Sequence, residues 1–390
     1  MWNVLLLCFL GCKQPPPKLP ERSQMVAYEA LSDTSYTDSV KSILPQAQID
    51  AKLQRATQIL IAATRDPLQP MSVQSMTDAE KIAGYPSQGH FLKVMNSGAF
   101  PASYLSHLSQ YGKIDLGISK RSFADGRVLW VIGWGKHVLD MDPVPLTLPL
   151  DGVFPLRIGD FEADRAILYL APPDQPVEKI ELIEGTHRWM LDFHVPGEYR
   201  FEVLLQDVNG AEHYNEIALL FSVFVDTELP TVTSTAVHLT PPNPIVAEQQ
   251  LFQAVNDLRR ERQLPPLKLF PLFVPLAREH SALMASTRMV QHRIAGVTNG
   301  VPEKAGKLAH PKANHFQNVA AALTAEEALT LAKDSPGHFQ VFLCETCTHM
   351  SIGAALEPTL SPNPRLYVTW EVLEFPRGTP QPIDKLNRDF

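Results

Sequence analysis

Proline divides this chain into pieces. Of its 390 residues 34 are proline, against an average of about 5%, and 11 of them fall within residues 15–20, 143–149 and 230–244. A fixed φ and a missing amide hydrogen favour extended chain over helix or central strand. These runs therefore read as joints between separately folded units. The length suits two or three domains.

Between the joints the hydrophobic period changes, and that change predicts an α+β multidomain chain. Leu53, Ala56, Ile59, Leu60 and Ala63 recur at three- and four-residue spacing, which predicts an amphipathic helix over residues 50–65. Helical sequence is expected to continue to about residue 110. Residues 114–119 and 128–134 then read as strands joined by a turn at Ala124-Asp125-Gly126-Arg127. Residues 46–145 thus form an N-terminal α/β unit. Over residues 146–226 the period falls to two. Trp189, Leu191, Phe193 and Val195 alternate with Met190, Asp192 and His194, and Tyr199, Phe201, Val203 and Leu205 repeat the pattern. Such short strands predict a central antiparallel β-sandwich. Its stretch from Phe193 to Phe201 resembles immunoglobulin-like (Ig-like) modules of bacterial surface proteins, which implies a spacer or packing partner. Residues 227–245 are a Thr/Pro-rich linker, 246–376 a last domain, and 377–390 a C-terminal tail.

Net charge is −8 with no basic block, which argues against nucleic acid as a partner. The apolar run from Val4 to Leu10 is too short to span a bilayer. Gly11, Cys12 and a polar Pro-rich stretch follow it. This resembles a bacterial lipoprotein signal, although no Lys or Arg precedes the run and Phe9 stands where leucine is usual. The resemblance implies a signal over residues 1–12, a lipid on Cys12 and a flexible tether over 13–45. It places the protein in the bacterial cell envelope, anchored to the membrane and facing the periplasm or exterior. A frayed hydrophobic N-terminus is the other reading. Cys344 and Cys347 are then the cysteines of the folded body, and an exported Cys-x-x-Cys pair is expected to close a local disulfide. A zinc set of His338, Cys344, Cys347 and His349 stays open, though its spacing fits no zinc motif.

Six of the 13 histidines fall between His280 and His349: those two, His292, His310, His315 and His338. Histidine is readily recruited for metal binding or proton transfer near neutral pH, so the cluster points to a site. His280 shares an apolar helical stripe with Leu276, Ala277, Leu283 and Met284, which also suits a hydrogen-bonded core residue. Thr324-x-x-Glu327 is a capping box, and Ser335-Pro336-Gly337 breaks the helix it starts. His338 is expected just past that turn, pointing into a cleft.

These residues carry a family resemblance. Residues 255–269 and 277–284 resemble the first two helices of bacterial CAP (SCP-like) domains. Asn318-Val319-Ala320, Asp334-Ser335-Pro336-Gly337-His338, Thr348-His349-Met350-Ser351-Ile352-Gly353 and residues 366–372 follow in family order. The resemblance implies a three-layer α-β-α sandwich over residues 246–376. It also implies a cleft where two histidines and two glutamates hold a divalent metal. Carried over, the histidines fall on His292 and His338, and one glutamate falls on Gln317, with no convincing position for the second. An amide brings neither the charge nor the general base of a carboxylate; His310 or His315 is a candidate substitute. The resemblance and the altered tetrad together imply an envelope-anchored module that binds a small apolar ligand or an envelope protein without turnover, with His280, His292, Gln317 and His338 as ligand-binding residues. A metal-dependent hydrolase or peptidase using zinc on His292 and His338 is the alternative. The first unit reads either as a degenerate copy of the same fold or as chance similarity. Gly89-His90-Phe91 echoes Gly337-His338-Phe339, and Leu116-Gly117-Ile118 echoes Ile352-Gly353-Ala354.

Overall fold

The computed structural model describes residues 36–376, except 65–70, 112, 124–125, 137, 160, 162, 183–186, 207–214, 233–241, 293–312 and 359–363. The signal, Cys12, most of the tether, His310 and the tail 377–390 lie outside the described residues. The chain divides into two compact units, one made mainly of residues before Thr235 and the other mainly of Ala236–Phe390.

The first unit opens with α1 (Thr37–Ile43), inside the stretch expected as tether. Val40 and Leu44 are buried there, and that burial fixes the segment. Next come β1 (Gln48–Ile49), α2 (Ala51–Ala63), α3 (Val73–Ala83), β2 (Gly89–Asn96), α4 (Ala102–Ser106), β3 (Ile114–Ser122) and β4 (Val128–Lys136). The Asp50 carboxylate caps α2 by accepting from the Leu53 N–H at 2.8 Å. β2 corrects the expectation of unbroken helix to residue 110. It pairs antiparallel with β4 from Gly89 opposite Gly135 to Asn96 opposite Val128, and such distant pairing overrides local preference. Along β4, Trp130 and Ile132 enter one core with Val40, Leu44 and Leu105. Leu129 and Val131 enter another with Leu53, Leu60 and Ala79. Helices therefore cover both faces of the sheet.

The period-two region supplies β5 (Thr147–Leu148), β6 (Val153–Ile158), β7 (Arg165–Ala171), β8 (Glu178–Leu182), β9 (His187–Asp192), β10 (Gly197–Gln206) and β11 (Asn215–Val225). Five of them form a sheet in the order β5-β11-β10-β7-β8, and β6 pairs with β9. Phe193, Phe201, Val203 and Leu205 fill its core, as the alternation requires. This region and the first sheet belong to one compact unit. The Lys81–Glu198 ion pair at 2.9 Å and the Leu220 N–H on the Pro86 carbonyl at 2.9 Å join them.

The second unit begins with α5 (Pro244–Glu261), capped by Asn243 with proline in its first turn. It continues with β12 (Lys268–Leu269), α6 (Val274–Thr287), β13 (Asn314–Ala322), α7 (Ala325–Asp334), α8 (Pro336–Phe342), β14 (His349–Leu356) and β15 (Leu366–Glu374). Its strand order is β12-β14-β15-β13, and that of the first unit is β1-β3-β4-β2. In both sheets the first pair is parallel and the other two are antiparallel. A Cβ on Gly353 would lie 2.1 Å from the backbone of Ala277 and Arg278 in α6. A Cβ on Gly117 would lie 2.4 Å from the backbone of Leu53 in α2. Each glycine lets a helix rest on the sheet. The echo of Gly337-His338-Phe339 in Gly89-His90-Phe91 does not hold in three dimensions, because the first lies in α8 and the second in β2.

Candidate functional site

Three elements of the second unit bring the candidate side chains together. α6 carries His280 and ends where Arg288 adopts a left-handed φ of 58°. His280 is buried, and its Nε2–H donates to the Gln291 carbonyl at 2.9 Å. It thereby anchors the residue just before His292. The second element is the sheet itself, where Gln317 on β13 stands directly opposite Glu371 on β15. The third is α8, and it corrects the expected turn. His338 lies in the first turn of this short helix, its N–H donating to the capping Ser335 Oγ at 3.1 Å. Asn318 Nδ2 donates to the His338 carbonyl at 2.8 Å, tying α8 to β13. The Thr324 cap upstream is present, with the Glu327 N–H on Thr324 Oγ1 at 3.1 Å. Glu327 reaches back to the Leu323 N–H at 3.1 Å, one residue beyond the standard box.

The imidazoles of His292 and His338 meet with 3.4 Å between their Nε2 atoms and 5.5 Å between ring centres. Behind His292, its Nδ1 lies 3.1 Å from Gln317 Oε1. Gln317 Nε2 donates to Glu371 Oε1 at 2.9 Å. His315 Nε2 bonds the other oxygen, Glu371 Oε2. Glu371 is fully buried, and the His315 ring meets Phe273 edge-on at 5.9 Å. Five side chains from four segments therefore form one continuous hydrogen-bonded series. Burial lowers the His338 imidazole to about 3, helped by the neighbouring His292. Burial also lowers His292, against an opposing hydrogen bond from Gln317. Both rings are neutral near pH 7 and keep lone pairs for use as acceptors.

Metal binding asks more than this set supplies. Two ring nitrogens on one tetrahedral zinc, each at about 2.1 Å, would stand roughly 3.4 Å apart, as these do. Further donors are lacking: among the described residues no three or more His, Cys, Asp or Glu side chains stand together as an ion would need. The Gln317 amide oxygen serves His292, and Glu371 is held by Gln317 and His315. The His338–Cys344–Cys347–His349 alternative also fails, because the two sulfurs are bonded to each other as a disulfide. His349 is buried against the rings of Phe270 and Phe375, with Nδ1 on Thr348 Oγ1 at 2.8 Å. The described residues do not fit a metal centre.

Glu371 is the residue that sequence reasoning missed. Its signal was one acid within the apolar run Tyr367-Val368-Thr369-Trp370-Glu371-Val372-Leu373, every position of which is buried.

No protein-family model matches the chain, and no curated protein matches it by sequence. Among solved structures it is similar to an outer surface protein from Borrelia burgdorferi, at 16% identity and a TM-score of 0.28, over 33% of this chain and 92% of that one. An extracellular protein containing an SCP domain from Bacillus anthracis matches at 14% identity and TM-score 0.30, over 62% of this chain and 68% of that one. A cysteine-rich secretory protein from Staphylococcus aureus matches at 11% identity and TM-score 0.26, over 58% and 89% respectively. Among the described residues no helix is long and apolar enough to cross a membrane.

Proposed function

We propose that the chain is an extracytoplasmic CAP-type (SCP-like) binding protein, tethered to the envelope through lipid on Cys12. Its second unit holds a small ligand or a partner segment in the cleft at His292 and His338, without turnover. The observation that carries this reading is the meeting of two neutral imidazoles from positions 46 residues apart, backed through Gln317 by a buried carboxylate. Buried polar groups are costly unless satisfied. The long 3.4 Å contact at the His292–His338 end is where a ligand would complete the series. The first sheet is read as a second, degenerate copy of the same fold, supported by its strand order and by Gly117. The sandwich is read as a spacer or packing module.

A hydrolase would need a free general base beside an activated water. The buried carboxylate here is committed on both oxygens, which favours binding over turnover. Native mass spectrometry of the full chain isolated from its own envelope tests the reading. A bound organic mass is expected in the wild type and lost in the His292→Ala/His338→Ala double variant. No such mass, or one that the double variant keeps, removes the cleft from consideration. Chelator-sensitive cleavage of casein by the wild type would move the assignment to the hydrolase.

A further inference from the structure

Glu371 sets the direction of the hydrogen bonds that run from Gln317 through His292 to His338. A carboxylate can only accept, so the NH2 of Gln317 must face Glu371 Oε1, as its 2.9 Å bond has it. That leaves the Gln317 carbonyl oxygen toward His292 Nδ1. An oxygen accepts, so His292 carries its proton on Nδ1, and its Nε2 presents a bare lone pair to His338. His338 Nε2, 3.4 Å away, must then be the donor of that pair. A carboxylate at position 317 could not pass this order along, since it would face Glu371 with no hydrogen to give.

We infer that Glu371, acting through Gln317, fixes His292 as the Nδ1–H tautomer, so that His292 and His338 present one acceptor and one donor side by side and select a ligand hydroxyl. A hydroxyl has one hydrogen to give and lone pairs to receive. It completes both imidazoles at once, taking the hydrogen of His338 Nε2 and giving its own to His292 Nε2. A carboxylate can satisfy only the donor, and an ammonium only the acceptor. Each would leave one ring nitrogen unmatched in a half-buried site, an arrangement that lowers affinity. The 3.4 Å separation is long for a direct bond between two ring nitrogens. A hydroxyl that accepts from one ring and donates to the other over bonds of about 2.8 Å needs the two nitrogens about 4.5 Å apart, so the rings open by about 1 Å to admit it. Gln317 and Glu371 are positioning residues here, and His315 holds the far oxygen of Glu371. This inference rests on the binding reading above and specifies what that site takes.

The test uses the full chain with 15N-labelled histidine and three probes on one ring skeleton: cyclohexanol, cyclohexanecarboxylate and cyclohexylammonium. At neutral pH the His292 ring is expected to show a protonated Nδ1 and an unprotonated Nε2. Cyclohexanol is expected to shift both His292 and His338 ring nitrogens at concentrations at least tenfold lower than the other probes. Glu371→Gln keeps the shape but frees the Gln317 amide to turn, so His292 should become a mixture of tautomers. Unchanged 15N shifts of the other histidines would verify that this variant is folded. An Nε2–H His292 in the wild type, or a tautomer unmoved by Glu371→Gln, overturns the positioning role. Equal or tighter binding of carboxylate or ammonium, or no response to cyclohexanol, overturns the hydroxyl assignment. The broader binding reading fails separately, in the native mass spectrum of envelope-derived protein.

Discussion

The two four-stranded sheets of this molecule share a strand order and differ in what fills matching strand positions. Both run edge to edge through one parallel and two antiparallel pairs. Both seat a helix on a strand glycine, Gly117 or Gly353. Both place a buried hydroxyl pair beside that contact, Thr57 with Ser119 at 2.8 Å and Ser281 with Thr369 at 2.8 Å. Gly117 faces Gly133, and Gly353 faces Thr369. Two residues further along, the second sheet sets Gln317 opposite Glu371, whereas the first sets Gly89 opposite Gly135. A Cβ on Gly135 would lie 2.3 Å from the Tyr85 hydroxyl, and one on Gly89 would lie 2.0 Å from Glu80 Oε1. The space that holds polar side chains in one sheet is filled in the other by Tyr85 and Glu80. Tyr85 donates to Asp115 Oδ2 at 3.3 Å, and burial with the Asp115 charge pushes its hydroxyl well up, so it does not ionise. The same strand order thus carries a polar pair at one place and packed side chains at the matching one.

The packed side chains supply the largest test of that contrast. Tyr85 is almost wholly buried, and Tyr85→Ala is expected to lower the stability of the first unit by about 4 kcal/mol, as for other large aromatic truncations. Hydrogen exchange in β2 and β4 peptides would register the loss. Gln317→Ala in the second sheet breaks its bonds to His292 and Glu371 and leaves a buried oxygen of Glu371 unpaired, with an expected cost of about 2 kcal/mol. Equal losses in the two sheets would show that the first is no more filled than the second.

Next in size is the contact the sheets have in common. Gly353→Ala and Gly117→Ala each press a methyl into helix backbone, which cannot swing aside as a side chain can. A cost of about 3 kcal/mol is expected for both, read as faster exchange in α6 and β14 for one and in α2 and β3 for the other. If only one variant is destabilised, the two glycines do not play matching parts.

Periodicity made much of this fold legible, and it failed where neighbouring strands decide. The alternation around Phe201 and the stripe on α6 were readable because one face of each is buried and the other is not. Glu371 was hidden because β15 is buried on both faces, so no alternation marks the inward side chains. Its partner Gln317 lies 54 residues away, and the register joining them is a property of the sheet alone. Local pattern alone predicts helix over β2, because its pairing to β4 lies outside any local window. His292 and His338 were found through motif order. Their tautomers follow from Glu371 and could not be reached without it.

The last effect, about 2 kcal/mol between pH 7 and pH 5, is on acid sensitivity, and it should separate the units. Folded, His338 is held down to about 3 by burial, against 6.5 for an ordinary imidazole. As pH falls the unfolded chain takes up the proton first, so stability present above about pH 6.5 is lost progressively from there toward about pH 3. The slope for this one group is about 1.4 kcal/mol per pH unit within that window. His338→Gln should remove it, so the gap in denaturation midpoint between wild type and variant should shrink from about pH 7 to about pH 5. Exchange in β13 and α8 peptides should follow the same course. β2 and β4, with Gly89 and Gly135 at the matching positions, should keep the same wild-type-to-variant difference throughout. A gap that stays constant with pH would mean that His338 is protonated in the fold as readily as in the open chain, and the neutral imidazole pair on which the cleft depends would be lost with it.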